Sequence, residues 1–118
     1  MTADDTDRIY ARGDVVYGTD PFKRRAAGRP WLVLSNHSGR PFHGDQYIAV
    51  TLTTRSWLDG LLDIPASSWV RGGTPEPSRV VPWGVQSLAA DDIARWQGRL
   101  SEDVVEKTVT ALVEELDG

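Results

Sequence analysis

Two short stretches of this chain carry residue types suited to phosphate chemistry. In "GRPWLVLSN", residues 28–36, Arg29 stands between a glycine and a proline, one step before an apolar run. "QYIAVTLTT", residues 46–54, ends on Thr53 and Thr54. A turn is better served by Asn, Asp or Ser than by a large cation. A guanidinium, however, is permanently charged, and its planar fork matches a phosphate bidentately. A threonine hydroxyl both donates and accepts hydrogen bonds. Arg29 with Thr53, and Thr54 beside it, would hold a phosphodiester and stabilise the charge that builds as it is attacked.

That chemistry needs the two stretches side by side. A hairpin of 30–36 and 46–53 across a symmetric 37–45 loop sets Leu34 against Ile48, Leu32 against Val50 and Pro30 against Leu52, an apolar face. On the other face Ser35 meets Tyr47, Val33 meets Ala49, Trp31 meets Thr51, and Arg29 meets Thr53. A one-residue slip would mix the faces. Residues directly opposite hold their Cβ atoms only about 4.5–5.5 Å apart, so this register brings Arg29 to Thr53. The bland alternative is an arginine bonded to strand-end carbonyls and a threonine chosen for strand propensity.

The chain has 118 residues, room for one domain with a modest core. It has no cysteine, which removes disulfides and thiolate metal sites and fits a reducing, cytoplasmic setting. Its start, "MTADDTDR", is too acidic for a signal peptide, and no apolar run nears a membrane span. The net charge of −4 argues against a nucleic-acid partner until its distribution is read. Residues 8–79 carry ten Lys/Arg against six Asp/Glu, whereas residues 89–118 carry three against eight. A basic body between acidic ends can hold a local anion site.

The elements follow from pattern. Residues 1–11 form a flexible acidic arm, and 12–118 a single domain. Strands are expected at 12–21, 30–36, 46–54 and 60–67, the last limited to an edge or an end by Pro65. "SRVV" (78–81) and "VQSL" (85–88) flank a Pro-Trp-Gly interruption. A short helix is expected near 90–96 and a longer one near 102–116. Ser101 would cap the second, and Val104, Val105, Thr108, Val109, Leu112, Val113 and Leu116 would form its apolar stripe against the sheet or a second subunit. Short strands at this spacing, then terminal helix, predict a mainly β small barrel.

"RGDVVYGTDP", "GRPWLVLSN", "IAVTLTTR" and the terminal strand–helix segment together resemble the MazF/PemK toxins of type II toxin–antitoxin systems, over roughly residues 12–116. The resemblance implies a small SH3-like β-barrel with a C-terminal helix, the CcdB/PemK-like plasmid-maintenance toxin fold. It implies a homodimeric, metal-independent endoribonuclease, an mRNA interferase needing no cofactor, that cuts single-stranded RNA through its 2′-OH. Its catalytic pair falls on Arg29 and Thr53. It also implies a cognate antitoxin with an acidic tail, and contact with operator DNA only through the antitoxin complex. Two family positions differ. Arg24 stands where many members have a loop Glu, and Trp83–Gly84 where many have an acid and Gln. Lys23, Arg24 and Arg25 would supply phosphate contacts in compensation. Trp83 would supply a stacking surface for a base, or else be a core residue. His37, His43 and Asp45 share a loop but have no ligand spacing for a metal; His43 is a candidate acid or base. Two further readings stand beside this one: a non-catalytic SH3-like module for nucleic acid or peptide, and a gyrase-targeting, CcdB-like toxin.

Overall fold

Strict alternation in β-branched and aromatic segments builds a twisted sheet whose two faces are both apolar. The computed structural model of the chain describes residues 9–19, 28–36, 42, 44–55 and 59–117. Among these lie β1 (Asp14–Thr19), β2 (Gly28–Val33), β3 (Gln46–Thr53), β4 (Leu62–Asp63), β5 (Trp69–Gly72), β6 (Arg79–Ala89), β7 (Ile93–Leu100) and α1 (Glu102–Asp117). The strands form one sheet in the order β4-β6-β3-β2-β1-β7-β5, with antiparallel neighbours throughout.

The sheet must curl. Its edge strands, β4 and β5, are joined by residues 64–68 alone, part of them a tight 3-10 turn at Ala66–Ser68. Six strand spacings in a flat sheet would separate the edges by roughly 29 Å. The connecting backbone spans at most about 20 Å fully extended. Only a sheet rolled into a half-barrel lets the link close. The backbone N–H of Ser101, entering the helix, donates to the Ser68 carbonyl at 2.8 Å and ties the link to the helix start.

The β2–β3 register is the one the alternation predicts. Trp31 pairs with Thr51, Leu32 with Val50, and Val33 with Ala49. Beyond Val33 the ladder loosens, and the Leu34 and Ser35 N–H groups both donate to the Ile48 carbonyl. Val15, Leu32, Val50, Leu52 and Val80 pack on one face beneath α1, which contributes Val104 and Val105. The other face buries Tyr10, Val16, Trp31, Val33, Tyr47 and Leu88. Tyr10 donates its N–H to the Tyr47 hydroxyl at 3.1 Å, so the part of the N-terminal arm that is described docks on the sheet from that residue.

In α1 the Ser101 carbonyl accepts the first helical bonds, from Val104 and Val105. Val104, Val105 and Thr108 are buried, and Thr108 satisfies its hydroxyl by donating to the Val104 carbonyl at 2.8 Å. The rest of the stripe changes character along its length. Val109 and Leu112 pack partly on the core, whereas Val113 and Leu116 are exposed.

Three expectations are corrected. The helix near 90–96 is a single 3-10 turn, Ala90–Asp92, followed by strand β7. "AADDIARW" has good local helix formers, but β7 is hydrogen-bonded on both sides, to β1 and β5, and that pairing outweighs propensity. The Pro-Trp-Gly segment does not end a strand. It is an irregularity within the continuous β6, where the register against β3 shifts between Val50 and Leu52. The 60–67 segment contributes only the two-residue edge strand β4, and the following strand β5 was not among the expected strands. Gly98 makes that last pairing possible, since a Cβ there would meet the Arg71 carbonyl at 2.6 Å.

Asp14 ties the ends of the chain together. Its side chain, only 10% exposed, accepts the Ala11 N–H at 2.7 Å, the Trp96 indole N–H at 3.2 Å and an Arg99 N–H at 3.1 Å. Hydrogen bonds to a charged group each contribute more than neutral ones. Asp14→Ala should therefore lower the unfolding free energy by about 2–3 kcal/mol, measured by urea titration; unchanged stability would show that these bonds hold nothing together.

Candidate active site

Arg29 enters β2 through a backbone shaped around Tyr17. The Tyr17 ring lies where a Cβ on residue 28 would stand, which makes that position a glycine. Tyr17 pairs with Pro30 across β1–β2, and the Arg95 guanidinium lies over its other side, 4.2 Å from the ring centroid. Pro30 fixes its own φ and gives no N–H to the ladder. Arg29 itself is half-buried opposite Gly18, so no side chain of β1 crowds it.

Thr53 closes β3. The β2–β3 pairing ends at Trp31↔Thr51, and Arg29 and Thr53 lie two residues beyond it, each at the same end of its strand. On its other side Thr53 pairs with Arg79 of β6, and Arg79 in turn pairs with Asp63 of β4. Paired residues in an antiparallel sheet project to one face. A row Thr53–Arg79–Asp63 therefore crosses β3, β6 and β4, and Arg29 stands on β2, the strand on the other side of β3. Asp63 accepts the Arg79 Nε–H at 2.8 Å.

The Thr53 hydroxyl is polarised as a donor. Its Oγ1 accepts the Arg55 backbone N–H at 3.2 Å, and it has no other partner among the described residues. Accepting that bond spends electron density and leaves the hydroxyl hydrogen for another acceptor. A phosphate oxygen suits it, whereas taking a proton does not.

The other candidates separate. Thr54, one residue on, is exposed and lines a groove of about 350 Å³ with Tyr17, Pro30, Ser78 and Arg95, so the two hydroxyls do not sit together. Trp83 is 44% exposed in the irregular part of β6, which rules out the core role and leaves its ring accessible. Lys23, Arg24 and Arg25, as well as His37 and His43, lie outside the described residues. Among the described residues no three His, Cys, Asp or Glu side chains converge as a metal site. Arg79 is the residue that sequence reasoning missed. Its signal was available, since "SRVV" places it in alternation with the buried Val80, but the supposed break at Pro82 hid the pairing of that segment with Thr53.

No protein-family model matches the chain, and no curated protein does. Solved structures do. An endoribonuclease from a mycobacterial species is 26% identical, covers 93% of each chain and superposes with a TM-score of 0.69. An endoribonuclease in complex with its cognate antitoxin, also mycobacterial, is 25% identical over 92% of this chain and 95% of that one, with a TM-score of 0.63. MazF from Deinococcus radiodurans, at 18% identity, shares the fold across 95% of this chain and 100% of its own, with a TM-score of 0.72.

The close fit of Tyr17 over Gly28 is testable without any substrate. Gly28→Ala puts a methyl group into the ring and should cost about 1–3 kcal/mol, as overpacking does. Adding Tyr17→Ala to that variant should restore part of the loss relative to Tyr17→Ala alone, a coupling read from a double-mutant cycle. Strict additivity would mean that the contact does not shape the entry of β2.

Proposed function

We propose that this chain, MazF-like in fold, is the toxin of a toxin–antitoxin pair and acts as an endoribonuclease on single-stranded RNA. The observation that carries the reading is the β2–β3 register, which directs a half-buried arginine and a donor-poised threonine to the same end of one sheet face. Likeness to endoribonucleases over nearly the whole chain supports it.

In this mechanism the RNA 2′-oxygen attacks the adjacent phosphorus and the 5′-oxygen leaves, giving a 2′,3′-cyclic phosphate and a 5′-OH. Arg29 binds the non-bridging oxygens and stabilises the charge they gain in the transition state. Thr53 donates its hydroxyl hydrogen to the same phosphate and fixes it in line for attack. A guanidinium holds its protons tightly and is a weak proton donor, so Arg29 serves electrostatically. The groups described supply charge stabilisation without a bound cation, so cleavage should persist in EDTA.

A panel of single-stranded RNAs incubated in EDTA tests this, with DNA copies as controls. Wild type should cut RNA and leave DNA intact. Arg29→Ala and Thr53→Ala should each lose about 10²–10³ in rate while remaining folded. Thr53→Ser should keep most activity, and Arg29→Lys should be poor because an ammonium lacks the planar fork. Cleavage of DNA, strict dependence on Mg²⁺, or full activity in Arg29→Ala would overturn the assignment. RNA binding with no cleavage would favour a non-catalytic module instead.

The partners follow from the same reading. The neighbour solved with its cognate antitoxin supports an antitoxin for this chain, with an acidic tail that covers the arginine row and competes with RNA. Ile48, Trp83 and Val85, exposed on the adjacent strands β3 and β6, suit a two-fold homodimer interface. Sedimentation at micromolar concentration should give twice the 13.0 kDa chain mass. A monomer there, or an antitoxin-tail peptide that leaves RNA affinity unchanged, would remove the corresponding partner.

A further inference from the structure

We propose that Arg79 is a substrate-binding residue that grips an RNA phosphate beside Thr53, on the side away from Arg29. The inference rests on the ribonuclease reading and adds to it a second cation. Arg79 is the direct cross-strand partner of Thr53. Arg79 lies one strand spacing of about 4.8 Å from Thr53 on β6, and Arg29 stands on β2, the strand along the other side of β3. A phosphodiester chain laid across the hydroxyl therefore runs between two guanidinium groups on the same face.

The hydrogen bonds of Arg79 leave it able to take this role. Only its Nε donates to Asp63, and the N–H groups of both terminal nitrogens have no protein partner among the described residues. That outer edge is the bidentate edge that phosphate recognition uses. The Asp63 side chain is 79% exposed and that of Arg79 34%. An ion pair with so solvated a carboxylate holds the guanidinium weakly. It is enough to hold the planar group in place on the sheet without competing strongly with a polyanion. In a chain of net charge −4, two arginine positions astride one donor hydroxyl form a local exception that suits an anion.

The test measures binding apart from cleavage. The probe is an RNA that wild type cuts in EDTA, methylated on the attacking 2′-oxygen so that it stays intact, and its affinity is followed by fluorescence anisotropy across a salt series. Each phosphate contact in a single strand contributes a slope of about 0.7 in log K against log salt. Arg79→Gln should weaken binding at low salt at least about fivefold and reduce the slope by about 0.7. Arg79→Lys should keep the wild-type slope, because the charge remains, with lower affinity for want of the fork. Arg12→Gln is the control. Arg12 also pairs with an exposed carboxylate, Glu102, but at the opposite end of the sheet, and its loss should leave affinity and slope unchanged. Melting temperatures near wild type in each variant separate contact loss from unfolding. Unaltered slope and affinity in Arg79→Gln, while Arg29→Gln loses both, would overturn the role of Arg79 alone. An Arg79→Lys slope as low as that of Arg79→Gln would overturn it too. If wild type neither cuts nor binds any RNA of the panel, the ribonuclease reading itself fails.

Discussion

The pairing of β2 with β3 is the constraint on which everything else depends. Side chains alternate across a strand, so a slip of β3 by one residue would carry Val50 and Leu52 out of the helix-covered core. The same slip would turn Thr53 away from the face that carries Arg29. Core and site are therefore fixed by a single choice of register. The hydrophobic effect, acting on seventeen buried apolar side chains among the described residues, sets the strands that carry two polar ones that contribute little to stability themselves.

The remainder of the fold holds that pairing against its neighbours. β6 lies along β3 on its far side and brings Arg79 to Thr53, while β1 lies along β2 and offers Gly18 to Arg29. Asp14 binds the entrance of β1 to β7, and the short 64–68 link rolls the sheet until its edges approach. Even the irregular stretch of β6 has a positional effect. Gly84 sits where a side chain would strike the Thr51 methyl, so β6 keeps close contact with β3 just before the site.

Much of this was legible in the sequence, and the parts that were not have physical causes. The β2–β3 register, from Val33↔Ala49 to Trp31↔Thr51, could be read from alternation alone, because both flanking strands are strongly β-branched and one wrong step spoils both faces. The terminal helix was equally clear up to Leu112. Beyond that the stripe continues as a pattern, although the sheet beneath it ends, so Val113 and Leu116 remain in solvent. β7 was hidden because Ala, Arg and Gln favour helix locally, and the strand exists only through partners at both edges. β5 was hidden for a related reason. Its partner β7 admits it through a glycine, and a missing side chain gives no hydrophobic signal. Arg79 was lost behind Pro82, since a proline inside an eleven-residue strand reads as a break when the bulge that accommodates it cannot be foreseen.

The pairing of β1 with β7 also bears on how the protein is made. Asp14 and Arg99 are separated by 85 positions, yet they meet at the start of the ladder. During synthesis β1 emerges long before β7 and must wait with one edge open until that strand has followed it. Contacts of such long sequence separation form late and slowly. The helix that seals the core comes later still. A nascent chain that has not yet released β7 and α1 lacks both the closing strand and the covering helix, and the row from Thr53 to Asp63 gains its firm support only once both have emerged.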